Sequence, residues 1–254
     1  MNLGDDRGPV TTIARAYPER VEVRGRDLAG DLMGRVSFTE YFHLLLTGRE
    51  ATDDERFFLD VLLVSIAEHG MMPSNVAARM TLAADPASVQ GAVASGILGA
   101  GPVVLGTSEE CARLLEELRG SGRDPVEAIR ALRAAGARVP GFGHPVHRPV
   151  DPRAERILEL ADERGVSGAN VALARSLRAT VAEVFGKPLP MNVSLPIAAV
   201  LLDLGYSTAH VKTIPILART ASLLAHLVEE QERPLGFLMA GAAESAVEYE
   251  RSET

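Results

Sequence analysis

A proline- and glycine-rich segment, PGFGHPVHRPVDPR at residues 140–153, carries the residue types best suited to acid–base chemistry and anion binding. It contains His144 and His147, and Arg148 and Arg153 follow closely. Histidine can move a proton near neutral pH, and arginine binds a carboxylate through two parallel hydrogen bonds. The segment therefore indicates a functional site. The alternative is an ordinary loop between helices with a solvated arginine.

Local sequence signals predict how this loop is held. Pro145 restricts His144 to an extended backbone. The dipeptide Asp151–Pro152 has the pattern of a helix start, because aspartate caps the first free amides and proline suits the first helical position. Arg153 then lies in the first turn, where the helix dipole mildly disfavours a cation. An arginine kept in that position indicates a bound anion.

Composition limits the class of protein. The 254 residues are 46% hydrophobic, which suffices for one large domain or a large domain with a small lobe. The net charge is −8, and no basic face indicates a nucleic-acid partner. The single Cys111 excludes an internal disulfide framework. The polar N-terminus does not resemble a signal peptide, and no apolar run reaches the ~20 residues of a membrane span. We expect a cytoplasmic protein without a membrane partner.

Helical patterns dominate the chain. Aromatic residues make up 4% and tryptophan is absent, while alanine and leucine, which favour helices, are abundant. Capping signals occur at Ser37–Glu40, Thr52–Glu55, Asp124 and Asp151, each before an amphipathic run. Only VEVRG, residues 21–25, alternates like a strand. The sequence predicts an all-α fold of about ten helices with at most one short hairpin.

Glycine and proline interrupt the helical pattern near Gly120–Asp124 and Lys187–Pro190. We therefore predict one unit over residues 1–254, in which residues 121–188 form a smaller helical lobe within the large one.

At the histidine loop the sequence resembles a known family. GFGHPVHRPVDPRAE is similar to the GFGH-x-V-x-(R/K)-x-x-DPR segment of citrate synthases and their relatives. Further segments resemble that family in the same order: VEVRGRDLAGDL, SFTEYFHLLLTGREATDDE, EHGMMPSNVAARM, GILGAGPVVLGTSEE, KPLPMNVS and LARTASLLAHLVEEQERP. The short chain looks most like citryl-CoA lyases, including the citrate-synthase-like end of ATP-citrate lyase. The resemblance implies an all-helical fold with a large and a small lobe, and at least a dimer.

The resemblance also implies roles for five residues. His69 would contact oxaloacetate, and His144 would exchange a proton with the keto or hydroxyl oxygen. Arg153, Arg219 and Arg233 would bind the carboxylates, with Arg233 donated by the partner subunit. The chemistry implied is an aldol reaction between acetyl-CoA and oxaloacetate, or its reverse.

Each of these residues also has a structural explanation. His69 could be a polar residue near a helix end, and Arg233 an ordinary surface arginine. Arg219 lies in the apolar context ILARTASLL, where a charge needs an anionic partner, so a buried structural ion pair is the alternative. The remaining histidines are interpreted as structural or loop residues: His43, His147, His210 and His226.

The sequence departs from the family where the acyl-CoA enolate is handled. Val104 stands where the synthases have the histidine that polarises the thioester, and its loss favours a lyase. Ser194 stands where synthases and lyases carry the aspartate that moves the methyl proton, and serine is a poor acid or base at neutral pH. Leu105 replaces a glycine of the same turn.

We therefore expect a lyase that cleaves a 3-hydroxy carboxylic acyl-CoA, citryl-CoA or an analogue, by a retro-aldol reaction. His144 would be the base, and water, or Ser194 acting through water, would protonate the enolate. Coenzyme A enters as substrate or product, and no metal-ligand spacing is visible. The other candidates are a non-catalytic protein that binds a dicarboxylate or acyl-CoA, and a citrate-synthase-type condensing enzyme. We expect a homodimer or a dimer of dimers.

Overall fold

The computed structural model describes residues 9–101, 105–144 and 146–250. Contacts between Cα atoms divide the chain into two compact units, Met1–Asp60 and Val61–Thr254. Within the described residues the chain forms twelve α-helices and little sheet, so the expectation of an all-α fold is confirmed. The predicted small lobe over residues 121–188 stays a prediction.

The first unit contains a small sheet that the sequence predicted only in part. Its antiparallel strands are β1 (Ala14–Ala16), β2 (Val21–Val23) and β3 (Arg26–Asp27). The strand expected at VEVRG is β2, but it pairs on both sides, so the sheet has three strands rather than one hairpin. Arg24 and Gly25 join β2 to β3 with φ of 51° and 79°. Two positive φ values suit the tight turns that match strand twist.

Helical segments complete the first unit. A π-helical turn spans Leu28–Leu32 and α1 spans Phe38–Thr47, while α2, Asp53–Ala67, begins in the first unit and ends in the second. A small core of Val23, Leu32 and Leu44 joins the sheet to α1.

The second unit is a helical assembly that contains one largely apolar, buried helix, α9 (Ser194–Asp203). Its helices are α3 (Pro73–Ala84), α4 (Val89–Leu98), α5 (Thr107–Ser121), α6 (Pro125–Ala134), α7 (Pro152–Glu163), α8 (Ala169–Phe185), α9 (Ser194–Asp203), α10 (Thr208–Val211), α11 (Thr213–Glu232) and α12 (Gly236–Ala246). Residues 194–201 of α9 are all buried, and α9 packs against α5, α7 and α8. A run of apolar residues on every side of a helix, as at residues 195–202, requires such an enclosed position.

The predicted helix starts are confirmed because capping is a local interaction. Ser37 and Glu40 form a capping box at α1, and Thr52 and Glu55 exchange the same two bonds at α2. Asp124 caps α6, and Asp151 caps α7, each directly before a proline. Side-chain oxygens at these positions satisfy amide groups that the helix itself leaves unpaired.

Among the described residues, one stretch, Thr208–Glu232, has the length and hydropathy of a membrane span. It comprises α10 and α11. Its residues Leu223 and Leu227 lie in a core cluster with α3 and α4, and its Arg219 is buried. These contacts are typical of a helix inside a protein core rather than in lipid.

Candidate active site

The histidine loop is held by a strand-like segment that precedes α9. The amide of Gly143 donates to the carbonyl of Pro190, and the amide of Asn192 donates to the carbonyl of Gly141, both at 2.8 Å. The side-chain amide of Asn192 also donates to the Gly143 carbonyl, at 3.1 Å. These bonds join two segments almost fifty residues apart. They fix the position of the backbone immediately before His144.

Asp151 is a residue of this site that the sequence indicated only as a helix cap. It is fully buried, and its Oδ1 accepts from Arg153 Nε at 3.0 Å while its Oδ2 accepts from Arg153 Nη2 at 2.9 Å. Oδ2 also accepts from the amide of Val193 at 3.2 Å. Burial raises the pKa of Asp151, but the bonds and charge of Arg153 outweigh it, so the net pKa is lowered. The anion predicted beside Arg153 is therefore this carboxylate.

The hydrogen bonds of His144 indicate which of its ring nitrogens carries the proton. Its Nδ1 accepts from the amides of Val146 at 3.1 Å and His147 at 2.9 Å. Burial lowers the pKa of His144, and the neighbouring His147, Arg153 and His69 lower it further, against the opposing effect of Asp151. The imidazole is therefore neutral near pH 7. We assign its proton to Nε2, because Nδ1 acts as an acceptor.

Three histidine rings meet at this point. His69, in the connection between α2 and α3, has its ring centroid 5.2 Å from that of His144 and 5.4 Å from that of His147. The rings of His144 and His147 are 4.4 Å apart. The Nε2 of His69 is buried and has no hydrogen-bond partner among the described residues. His147 was interpreted from sequence as a loop residue, but it belongs to this cluster.

The three histidines have the spacing of a possible metal site, because one ring nitrogen of each lies within 4.8 Å of the others. Sequence spacing had indicated no such group, and the tertiary structure creates it. A histidine that binds a metal normally donates its second ring N–H to an acceptor. In His144 that second nitrogen instead accepts two amide hydrogens. Arg153 Nη2 lies 3.4 Å from His144 Nε2, so a cation is also repelled. His144 is therefore a poor metal ligand through its Nε2, and we expect no metal at this cluster.

Arg219 is a buried cation on α11. It is 3% exposed, its Nη1 donates to Asn75 Oδ1 at 3.1 Å, and its Nε has no partner among the described residues. Burial lowers its pKa, and the charge of Glu68 opposes that effect. No carboxylate lies within salt-bridge distance of Arg219 in the described part of the chain. The alternative of a structural ion pair is therefore not supported.

Asn75 connects Arg219 to the loop that carries His69. Its Nδ2 donates to the carbonyl of Gly70 at 2.7 Å. The same loop is closed by Glu68, whose Oε1 accepts from the amides of His69 at 2.8 Å and Gly70 at 2.6 Å. Hydrogen bonds therefore connect the buried guanidinium to the backbone of the loop that carries His69.

A second group of polar residues supports that loop from α11. Glu68 Oε2 accepts from Ser222 Oγ and lies 3.0 Å from His226 Nε2. Arg79 Nε donates to His226 Nδ1 at 3.0 Å, and His226 Nε2 lies between Glu68 and the side-chain amide of Asn75, which is 2.8 Å away. His226, expected to be a packed histidine, has this bridging role.

Of the remaining predicted residues, Ser194 lies next to the histidine loop and Arg233 does not contact it. Ser194 is buried at the first position of α9, and its amide donates at 3.1 Å to Asn192 Oδ1, the residue bonded to Gly143. It thus adjoins the histidine loop. Arg233 is exposed at the end of α11 and makes no side-chain contact with the site residues described.

The turn that departs from the family is described in part. Val104 lies outside the described residues. Leu105 is buried beside a cavity of about 400 Å³ that Arg113, Lys212 and Ile216 also line. Lys212 is paired there with Glu109 at 2.8 Å.

Comparison with solved structures gives close matches over the whole chain. The citryl-CoA lyase of Hydrogenobacter thermophilus superposes with a TM-score of 0.87 and 29% identity, covering 98% of this chain and 96% of that one. The ATP citrate lyase of Methanothrix soehngenii, solved with citrate and coenzyme A, gives a TM-score of 0.77 at 18% identity, over 98% of this chain and 42% of that one. The second match shows a likeness of fold.

Comparison with curated sequences points the same way. A citrate synthase of Synechocystis is 31% identical over 202 residues, which are 77% of this chain and 50% of that protein. The chain spans about half the length of the curated relatives it matches. The family model described as "Citrate synthase, C-terminal domain" matches residues 10–236. With that match over most of its length, the chain belongs to the citrate synthase family.

Proposed function

We propose that this chain is a carbon–carbon lyase that cleaves citryl-CoA, or a closely similar 3-hydroxy carboxylic acyl-CoA, by a retro-aldol reaction. The products are an oxaloacetate-like keto acid and an acyl-CoA. The observation that carries the proposal is Arg219, a buried guanidinium without a carboxylate partner, connected through Asn75 to the loop that carries His69, one of a cluster of three histidines. The likeness to a citryl-CoA lyase over nearly the full length of both chains supports it.

Arg219 supplies the strongest reason for an anionic substrate. A buried charge without a partner is destabilising by several kcal/mol, roughly, unless an ion of opposite sign compensates it. A substrate carboxylate beside the Arg219 guanidinium provides that compensation in this proposal. Arg153 is already engaged by Asp151, so it offers a substrate only the hydrogens left on its Nη atoms.

For His144 we propose a role as hydrogen-bond donor, which differs from the base expected from the sequence. In the neutral ring the Nε2 carries the proton and Nδ1 is occupied by two amides. His144 therefore donates a hydrogen bond to the substrate oxygen and stabilises the negative charge that develops there. Donors fixed in advance at such a position are a large part of catalysis in many enzymes.

The leaving enolate must gain a proton. Ser194 is a weak acid at neutral pH, so solvent water is the proton source in this proposal. Coenzyme A takes part as the thioester of the substrate and of one product, and the similar ATP citrate lyase of Methanothrix soehngenii was solved with coenzyme A bound.

Two further properties belong to the proposal. An exposed Arg233 fits the expected homodimer or dimer of dimers, in which it reaches the site of the partner subunit. A cytoplasmic location is proposed from the sequence composition.

Two other functions are tested with the same protein. Citrate-synthase-type condensation is favoured by the Synechocystis relative. A binding-only role is favoured by Ser194, because a condensation or lyase site in this family carries an aspartate there. Condensation needs a base for a weakly acidic C–H group, and loss of such a base lowers the rate by about 10²–10⁴.

The test is a coupled assay. Purified protein is given citryl-CoA, and oxaloacetate release is followed through malate dehydrogenase and NADH. We expect turnover in the wild type and in His210→Ala, a histidine change outside the site, and loss of turnover in Arg219→Met and His144→Ala. The reverse reaction, with acetyl-CoA and oxaloacetate, is measured by thiol release.

The outcomes separate the three functions. Condensation faster than cleavage contradicts the lyase proposal in favour of a synthase. No turnover, with citrate still raising the melting temperature, indicates a binding protein or another acyl-CoA. Absence of both turnover and citrate binding contradicts the carboxylate pocket itself.

A further inference from the structure

The ring nitrogens of the three histidines surround a seat, meaning a position from which one oxygen atom can contact all three rings. Because no two of the chosen ring nitrogens are more than 4.8 Å apart, some point lies within about 2.8 Å of all three, the largest separation divided by √3. That is the length of a hydrogen bond from nitrogen to oxygen. The seat fits a hydroxyl or alkoxide oxygen.

The three histidines are not equivalent towards such an oxygen. His144 presents an N–H and holds its other nitrogen in two amide bonds, so it cannot accept a proton without breaking them. Neither ring nitrogen of His147 is hydrogen-bonded to another described residue, although its backbone amide is bound to His144. His147 is also only half-buried. It therefore keeps a lone pair and a route for a proton to solvent.

We propose that His147 is the catalytic base of this site, taking the hydroxyl proton of the substrate while His144 donates to the same oxygen. This inference rests on the proposed lyase function. The O–H proton moves to a ring nitrogen of His147, and the O–H electron pair forms the C=O bond. The C–C bond breaks, its electrons become the thioester enolate, and the enolate carbon takes a proton from water. His147 then returns its proton to solvent.

The charges around His147 are compatible with this step. The rings of His69 and His144 are next to the ring of His147, and Arg153 Nη2 lies 3.4 Å from His144 Nε2. The ionised Asp151 offsets these groups, because His147 and Asp151 attract each other in the charged state. The positive charge of a protonated His147 is therefore stabilised by the buried carboxylate of Asp151.

The variants His147→Gln and His147→Ala test the proposal. Both keep the backbone amide that fixes the proton of His144, and glutamine also keeps a hydrogen-bonding group. We expect kcat to fall by about 10²–10⁴ in both while KM and the citrate-induced rise in melting temperature stay nearly unchanged. Added imidazole should restore part of the activity of His147→Ala, where space is left, but not of His147→Gln. His210→Ala serves as the control histidine.

A pH profile distinguishes a base from a structural residue. In the wild type, kcat should fall on the acid side, as it does for a reaction that needs a general base, and this limb should disappear in His147→Gln. Activity within about twofold of wild type in both variants, or a fall confined to KM, would overturn the proposal.

A measurement without turnover separates this inference from the lyase proposal. In ¹⁵N-labelled wild-type protein, citrate binding should change the ring-nitrogen shifts of His147 towards those of a hydrogen-bonded ring, while His144 keeps its proton on Nε2. Unchanged shifts of His147 at saturating citrate would contradict the inference. If the wild type cleaves no citryl-CoA, the lyase proposal fails. The spectrum then still shows whether bound citrate forms a hydrogen bond with the ring of His147.

Discussion

Asp151 and Arg153 form a two-point ion pair at the first turn of α7, with bonds of 3.0 Å from Nε to Oδ1 and 2.9 Å from Nη2 to Oδ2. The same carboxylate accepts the amide of Val193, next to α9. One buried aspartate therefore caps a helix, holds an arginine of the site and joins the two segments of the histidine loop. This arrangement makes Asp151 a structural requirement of the site rather than a simple cap.

The first prediction concerns Asp151→Asn. Asparagine can still cap α7, but it leaves Arg153 without its counter-charge. Removing one member of a buried pair destabilises by about 3–5 kcal/mol, and we expect a loss near the lower end because Arg153 is partly exposed. Urea unfolding followed by circular dichroism measures it. The matched control is Asp124→Asn, since Asp124 caps α6 through the amide of Val126 without such a pair.

The control should lose less than about 0.5 kcal/mol, because asparagine and aspartate are similar caps. Equal losses in the two variants would mean that the ion pair adds no stability beyond capping.

The second prediction compares two buried arginines. Arg79 is fully buried and paired with Glu230 at 3.0 Å, whereas Arg219 has no carboxylate partner in the described residues. Arg219→Met should leave the free energy of unfolding unchanged or raise it by about 1–2 kcal/mol, because a buried charge is replaced by an apolar side chain of similar length. It should also abolish stabilisation by citrate or oxaloacetate.

Arg79→Met is the control, and it should lower the free energy of unfolding by about 3–5 kcal/mol, because Glu230 is left buried and unpaired. Melting curves with and without ligand measure both effects. A strongly destabilised Arg219→Met that still binds citrate would contradict the assignment of Arg219 to substrate.

The third prediction is a pH dependence in the first unit. Burial raises the pKa of Glu55, but bonds from Arg49 and the amide of Thr52, with the charge of His43, lower it from 4.5 to about 2. Since the folded-state pKa is depressed, the ionised carboxylate stabilises the fold above pH 4.5, and this contribution is lost as the pH falls towards 2. The shift corresponds to about 3 kcal/mol.

Glu55→Gln should lose stability by roughly that amount at pH 7 and show a flatter dependence between pH 4.5 and 2. Urea midpoints at a series of pH values measure it. The exposed Glu50, on the same connection between helices, gives the control variant Glu50→Gln. A wild-type curve already flat in this range would show that Glu55 has an ordinary pKa.

The fourth prediction concerns the two glycines of the histidine loop. Both have positive φ, 81° for Gly141 and 87° for Gly143. A Cβ on Gly141 would lie 2.5 Å from the Cβ of Leu195 and 3.0 Å from the sulfur of Cys111, whereas a Cβ on Gly143 meets nothing within 4 Å. Gly143→Ala should therefore cost about 1 kcal/mol of backbone strain.

Gly141→Ala adds a clash with the buried helix α9 and should cost about 2–3 kcal/mol more, because overpacking displaces the core. Thermal unfolding of the two variants measures the difference. Similar stabilities would mean that the loop can move away from α9, against the hydrogen bonds described.

The helices and their starts could be predicted from sequence because the interactions that form them are local. Ser37, Thr52 and Asp124 cap helices with amides two or three residues further on, so a few letters suffice. The buried Cys111 followed from the amphipathic pattern of its helix. The strands β1 and β3 were missed, because two- and three-residue strands have too few alternating positions to be recognised.

The sequence named candidate site residues one by one, but not the contacts between them. The sequence indicated His144, Arg153 and Arg219 as chemical groups, and Asp151 only as a cap. His147 could have been suspected from its position three residues after His144 in a stiff loop, but nothing local shows that His69 meets both.

By itself, the sequence therefore determined the helical class, the helix starts and the set of residues able to handle an acid anion. Only the tertiary structure decided that Asp151 neutralises Arg153, that two amides fix the proton of His144, and that Arg219 lacks a carboxylate partner among the described residues. The physical reason is distance along the chain. Caps and amphipathic patterns depend on neighbours within four residues, whereas charge pairing and proton position depend on groups that meet only when distant segments pack together.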